Sequence, residues 1–301
     1  MNGANYYDKY EPTITSYDYN ALLSEAGDLT PAYFEVRKII EEKFGKLPEL
    51  TVKNSEKAAY GKLELNERCS IFEAAKLLSK PIHSASPQFM EDIGQYYGFT
   101  LYSTVVDGPR DEREIKFDAV HDRAVVFIDG EYKGFYERTR DGEPVSFSLK
   151  KGESCRIDIL CENMGRVNYG PKIMDRKGIK GVRFNLQYHF GWDMYPLPLD
   201  NISSLRFEQK SGEVNVASFL KGTLKINDEP HDTFMRLDGF TKGVVFVNGF
   251  NIGRYFNSAG PQKTLYVPAP MLKKGDNEIV VFETDHSDRS SVTFLDKPDL
   301  G

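Results

Sequence analysis

The sequence predicts a mainly β protein built around two copies of one sandwich module, and three observations carry that expectation. The stretches Ala124-Val-Val-Phe-Ile-Asp-Gly-Glu-Tyr-Lys-Gly-Phe-Tyr136 and Gly243-Val-Val-Phe-Val-Asn-Gly-Phe-Asn-Ile-Gly-Arg-Tyr255 share one pattern: four β-formers, Asp-Gly or Asn-Gly, three residues, a Gly, then an aromatic two places on. Each is followed downstream by a matching turn, Leu149-Lys-Lys-Gly152 and Leu272-Lys-Lys-Gly275, ahead of a further strand. Blocks in the same order about 120 residues apart are one small domain apart. Finally, aromatics make up 13% of the 301 residues, with 17 Tyr and 20 Phe but one Trp, which suits strand-rich domains with aromatic inner faces.

Each repeated stretch reads as a hairpin. The Val/Ile/Phe run fits a pleated, half-buried surface, and Asp129-Gly130 and Asn248-Gly249 supply residues that tolerate the positive φ of a tight turn. The two tips look like twin sites but are explained by turn chemistry alone.

Taken in order, Asn2 to Leu29 is rich in Tyr, Asn, Asp and Gly, lacks sustained periodicity and reads as a functional loop. Thr30-Pro31 starts a helix with Thr as N-cap and Pro at the first position. Tyr33, Val36, Ile40 and Phe44 then recur at helical spacing, so residues 31–44 form an amphipathic helix that must lie on something. Glu49 to Val52 and Ala58 to Leu65 are short strand candidates, the second able to join either sandwich. Ser70-Ile-Phe-Glu73 is a capping box opening a helix to about Leu78. From Ser86 the period is that of strands: Tyr96 to Val106, then a charged loop Asp107 to Arg113, then Ile115 to Phe117, the first hairpin, Val145 to Leu149 and Arg156 to Leu160. Glu162-Asn-Met-Gly-Arg-Val-Asn-Tyr-Gly-Pro171 is polar and unlike a strand, and loops on a rigid scaffold are where binding groups concentrate. Gly181 to Leu186 resumes the strands, and the second module supplies Ala217 to Ile226, Thr233 to Leu237, its hairpin, Thr264 to Val267, Glu278 to Phe282 and Ser291 to Leu295.

A net charge of -6 without clustered Lys and Arg excludes nucleic acid as an expected partner. No apolar run reaches the roughly 20 residues that span a bilayer, so no membrane partner is expected. Cys155 and Cys161 are six apart along one strand, too far to bond to each other, and with Cys69 they read as free buried thiols of a reducing, cytoplasmic compartment. His83, His121, His189, His231 and His286 are scattered and form no metal-ligand spacing. His121-Asp122 and His231-Asp232 precede the two hairpins and suit strand entry. Among candidate ligand contacts, Arg166 and Tyr169 offer donors for a sugar against the alternative of a self-bonded loop. Trp192 offers a stacking platform against the more common buried cluster. Thr15-Ser-Tyr-Asp-Tyr-Asn-Ala-Leu-Leu-Ser-Glu-Ala-Gly-Asp28 gathers Tyr17, Asp18 and Tyr19 in a stretch with no core periodicity.

That last stretch, running on to Leu29-Thr30, closely resembles the β-galactosidases of glycoside hydrolase family 35. So do Glu162 to Gly170 and Val247-Asn-Gly-Phe-Asn-Ile-Gly-Arg-Tyr255 with Gly260-Pro-Gln-Lys-Thr-Leu-Tyr-Val-Pro268. The resemblance runs in family order over essentially the whole chain. It implies a fold of two jelly-roll, galactose-binding-like β-sandwiches preceded by a short loop-helix remnant of a (β/α)8 barrel. The implied domains are residues 1–46 for the remnant, 47–85 for a connecting segment, 86–200 for the first sandwich and 201–301 for the second. It further implies retaining hydrolysis of terminal non-reducing β-D-galactosyl residues without metal or cofactor. Neither family glutamate signature, Glu-Asn-Glu-Tyr or Glu-x-Trp, occurs here, so both catalytic carboxyls are expected upstream of Met1 and the chain is expected to be inactive alone. Tyr19 is the position matching the family's galactose-contacting tyrosine, with Tyr17 and Asp18 on the same wall and Arg166 and Tyr169 toward the aglycone. Expected partners are a β-galactoside or galactose-containing glycan, the missing barrel half, and a second copy of the chain in a homo-oligomer. A non-catalytic carbohydrate-binding or structural module is the competing expectation.

Overall fold

The computed structural model describes residues 3–14, 20–139 and 142–301. Its central feature is that the Val-Val-Phe runs are buried on both faces rather than one. Along Arg123–Ile128, Ala124 and Val126 enter one apolar cluster while Val125 and Phe127 enter another. Lys242–Val247 divides in the same way, Val245 and Val247 going to one side, Val244 and Phe246 to the other. Successive strand side chains point to opposite faces, so a run with no polar position is what a strand covered on both sides requires.

Four sheets are layered accordingly. The first module has a six-stranded sheet in the order Ile82–Ser84, Trp192–Leu197, Phe99–Asp107, Ser154–Glu162, Arg123–Ile128, Glu131–Glu137. A four-stranded sheet, Ser146–Leu149, Arg110–His121, Gly178–Phe184 and Gln187–Tyr188, covers its outer face. The second module repeats the plan. Its six-stranded sheet runs Glu208–Gln209, Glu67–Ser70, Ser218–Ile226, Gly275–Glu283, Lys242–Val247, Phe250–Phe256, and its four-stranded sheet runs Thr264–Val267, Thr233–Arg236, Ser291–Leu295, Gly61–Glu64. The inner faces of the two six-stranded sheets share a third core. Phe99, Leu101, Val125, Phe127 and Leu160 from one meet Phe219, Val244, Phe246, Val280 and Phe282 from the other, and helix Ile71–Leu78 contributes Ile71, Ala74 and Ala75.

The hairpin tips are turns. Asp129 and Gly130 have φ of 51° and 82°, Asn248 and Gly249 49° and 82°, the positive pair a type I′ turn needs. Each turn side chain also bonds the neighbouring strand: the Arg156 N–H donates to Asp129 Oδ1 at 2.8 Å and the Glu278 N–H to Asn248 Oδ1 at 3.0 Å. The two tips are therefore turns, as expected, and act as equivalent register locks.

Several elements differ from the sequence reading. Glu49 to Val52 forms no strand; Pro48 and the Lys53-Asn54 pair bracket a run whose one large aliphatic residue besides Leu50, Val52, is 61% exposed and gains nothing from pairing. Arg110–His121 is a strand from its first residue, because its charges fall on exposed or partly exposed positions while Ile115 is buried. The connecting stretch serves both modules: Gly61–Glu64 pairs with Ser291–Leu295 and Glu67–Ser70 with Ser218–Ile226, whereas Ile82–Ser84 pairs with Trp192–Leu197. The capping box at Ser70 forms, the Glu73 N–H donating to the Ser70 hydroxyl and the Ser70 N–H to the Glu73 carboxylate. Helix Pro31–Phe44 forms over the expected residues, but none of them is buried; Phe34 is 50% and Phe44 83% exposed. All three cysteines are free and buried. No helix among the described residues is long and apolar enough to cross a membrane.

Candidate functional site

The polar Glu162 to Pro171 loop is not a free loop. Its Arg166–Val167 pairs in parallel with Gly3–Tyr6, which pairs in turn with Tyr10–Pro12, so the N-terminal segment and this loop form one three-stranded sheet. Ala4, Tyr10, Met164, Val167 and Phe256 close a small core beneath it. Both N-terminal strands lie in the stretch read from sequence as loop. Gly3–Tyr6, the central strand, takes a partner more than 150 residues away, which no local pattern marks.

Asp122 holds the arrangement from inside. Fully buried, it accepts from the Met164 N–H at 2.8 Å, from Arg138 Nη1 at 2.9 Å and from Lys177 Nζ, itself fully buried, at 2.9 Å to each oxygen. The Tyr10 hydroxyl lies 3.0 Å from the same carboxylate and 2.7 Å from the Gly165 carbonyl. Burial, then the Asp122 charge, pushes the Tyr10 phenol far above its usual range and keeps it protonated. Asp175 bridges Arg138 and Lys177 at 2.6 and 3.3 Å; burial works to raise its pKa, but the hydrogen bond and charge of Arg138 prevail and hold it low. His121 sits beside this cluster with its pKa lowered by burial and by Arg138. The His-Asp pair thus organises three segments at once, a wider task than strand entry.

Between the modules a second set of buried charges is arranged reciprocally. Arg123, opening the first hairpin, pairs through two nitrogens with Asp285 of the second module, at 3.1 and 2.5 Å. Lys242, opening the second hairpin, pairs with Glu162 of the first. Burial lowers the Lys242 pKa to about 8 against the opposing pull of Glu162. Glu283 accepts from the Thr241, Lys242 and Asp285 N–H groups and from the Tyr255 hydroxyl. Burial, then the Asp285 charge, nevertheless raises its carboxyl from 4.5 to about 8. Because the folded value lies above the unfolded one, Glu283 favours the fold fully below about pH 4.5 and loses that contribution as pH rises through about 8. Urea midpoints measured from pH 5 to 8 should therefore decline less in Glu283→Gln than in the parent chain. At one pKa unit per roughly 1.4 kcal/mol the difference is on the order of a few kcal/mol. Parallel profiles would contradict this.

At the open rim of the shared core lies a cleft of about 520 Å³. Tyr97 to Phe99, Glu162 to Arg166 and Pro198 to Asp200 line it from the first module, and Val244 with Phe250 to Arg254 from the second.

The sequence-derived candidates fall in different places. Tyr17, Asp18 and Tyr19 lie outside the described residues. Arg166 is engaged by Glu91 and by the Tyr96 carbonyl at 2.8 Å. Tyr169, in the same loop, is 78% exposed. Trp192 is fully buried in the core of the first sandwich, its indole N–H donating to the His189 carbonyl at 3.1 Å. That corrects the stacking-platform expectation: no face of the ring is open to a sugar, and alternation along Trp192–Leu197 turns it inward together with Met194. Sequence reasoning missed Tyr10, Arg138, Lys177 and Lys242. The only available signal was a Lys within an otherwise apolar start of a strand. Among the described residues no group of three His, Cys, Asp or Glu side chains is placed to hold a metal ion.

Comparison with known proteins adds three family matches. Residues 1–43 match glycosyl hydrolases family 35, residues 87–198 the first all-beta domain of beta-galactosidase, and residues 217–277 the galactose-binding domain of beta-galactosidase. The chain is 37% identical to a beta-galactosidase of Homo sapiens over all of its length and 48% of the relative's. It is 37% identical to one of Bos taurus over 99% of the chain and 50% of the relative, and 36% identical to beta-galactosidase 17 of Arabidopsis thaliana over 94% and 46%. It thus spans about half the length of the curated relatives it matches.

Proposed function

We propose that the chain is a part of a glycoside hydrolase family 35 enzyme, the β-domain portion of a β-galactosidase acting on terminal non-reducing β-D-galactosyl residues, as its family match and its relatives support. Retaining hydrolysis needs two carboxyl groups about 5 to 5.5 Å apart, one to attack the anomeric carbon and one to protonate the departing oxygen and then activate water. Neither family signature for these groups occurs in this sequence, so the chain's part is to complete the site and not to supply its acid or nucleophile. Tyr19 would contact the galactosyl ring with Tyr17 and Asp18 beside it, and Arg166 and Tyr169 would border the aglycone.

The observation that carries the reading is the three-stranded sheet. It ties residues 3–12 to the strand Arg166–Val167, which ends two residues before Tyr169. One hydrogen-bonded unit thus joins the N-terminal segment to the loop that carries Tyr169. Exposed Ile173, Met174 and the apolar side of Pro31–Phe44 suit docking against a barrel half. The three unbridged cysteines fit a reducing compartment such as the cytoplasm.

The purified chain should release no nitrophenol from a nitrophenyl β-D-galactoside. Grafted in place of the aligned half of the Bos taurus relative, it should preserve hydrolysis, and Tyr19→Phe in that chimaera should lower kcat/KM at least about tenfold. A folded but silent chimaera, or a chain that turns over by itself at the rate of an intact relative, would overturn the proposal.

A further inference from the structure

We propose that the cleft between the two sandwiches is a binding site for one neutral pyranoside ring, whose lining does not include Tyr169, independent of whether the hydrolytic reading holds. Its volume, about 520 Å³, lies in the range of roughly 300 to 1,000 Å³ typical of small-molecule pockets. Both modules line it, so it exists only because their six-stranded sheets are fused.

The backbone around the cleft is held under constraint. Leu199, 6% exposed and lining it, has φ of 61°, a conformation that a bulky side chain keeps only where its surroundings impose it and that concentrates at ligand clamps. Across from it, Gly98 has φ of 82° and no room for a side chain: a Cβ there would stand 2.5 Å from the Leu197 carbonyl oxygen. The same link is thus pinned from two directions at the cleft wall.

The lining chemistry selects the ligand. Phe250, 57% exposed, presents an aromatic surface continued by Val244 and Ile252. Opposite in character is Asp200, whose two exposed carboxylate oxygens each lie 2.8 Å from the Tyr97 hydroxyl and keep lone pairs for further donors. Asn251 is exposed beside Phe250. The cations that line the cleft, Arg166 and Arg254, are already engaged. Arg166 serves Glu91 and Tyr96, and Arg254, its side chain 8% exposed, donates to the Met164 and Thr13 carbonyls at 2.8 and 2.5 Å. Of these two guanidiniums, only Arg254 has a buried nitrogen, its Nε, without a partner among the described residues. The charge left open to a ligand is therefore negative, which disfavours phosphates and uronates. An apolar wall facing a hydroxyl-accepting carboxylate fits a ring with a C–H face and hydroxyl donors at its edge.

Calorimetric titration of methyl β-D-galactopyranoside and methyl β-D-glucopyranoside into the full chain tests this. Saturable binding with Kd in the millimolar range is expected for at least one of them. Phe250→Ala and Asp200→Ala should each weaken it at least tenfold, about 1.4 kcal/mol. Both residues are exposed, so unfolding midpoints should not move. Tyr169→Ala should leave Kd unchanged. No saturation by about 50 mM, unaltered binding in both rim variants, or binding lost in Tyr169→Ala would each overturn the site, and none of these bears on the chimaera's hydrolysis.

Discussion

Asp122→Asn is expected to lower the stability of the chain by about 3 to 5 kcal/mol, because it leaves buried cations without the charge that compensates them. Lys177 is fully buried with Asp122 as its main partner, and Arg138 is partly buried; Asp175 remains but sits 3.3 Å from Lys177 and already serves Arg138. The replacement is nearly isosteric, so lost charge and not lost volume would be measured. Adding Lys177→Met should recover more than half of the loss, since a buried pair exchanged for apolar groups is often close to neutral. Urea unfolding of the two single variants and the double variant gives the coupling directly. Hydrogen exchange should locate the damage in residues 3–12 and 163–168, the backbone that Tyr10 and Met164 tie to Asp122. A loss below about 1 kcal/mol, or exchange that rises uniformly, would show that Asp122 does not organise that sheet.

Phe282→Ala should cost a similar amount, about 3 to 5 kcal/mol, by opening a cavity where the modules meet. Its ring stacks on Phe219 at 4.2 Å within its own sheet and meets Phe99 of the other module edge-on at 5.1 Å. The shared core, reinforced by the Arg123–Asp285 and Lys242–Glu162 pairs, makes the two sandwiches one cooperative unit. Unfolding followed by far-ultraviolet circular dichroism and by Trp192 fluorescence should therefore coincide in the parent chain and shift together in the variant. Trp192 reports the first module while the substitution lies in the second. A fluorescence transition that stayed in place would show that the modules unfold separately.

The sequence by itself determined the elements whose information is local. The repeated Asp-Gly and Asn-Gly turns announced both hairpins because φ preference is a property of those residues. The Ser70 box and Thr30-Pro31 placed two helix starts for the same kind of reason. The long motifs were enough to point to the family. What local pattern could not give was anything decided by a partner distant in the chain. The Val-Val-Phe runs marked strands, but their burial on both faces, and hence the fusion of the modules back to back, followed only once each six-stranded sheet had the other to cover it. Gly3–Tyr6 became a strand because Arg166–Val167 offered it hydrogen bonds. Trp192 left the list of sugar platforms because its strand turns it into a core. The charged groups that matter most, Asp122 with Lys177 and Glu162 with Lys242, carry no sequence signature: an ion pair across 55 or 80 residues is set by where the strands end in space, and that is fixed by the packing of four sheets together.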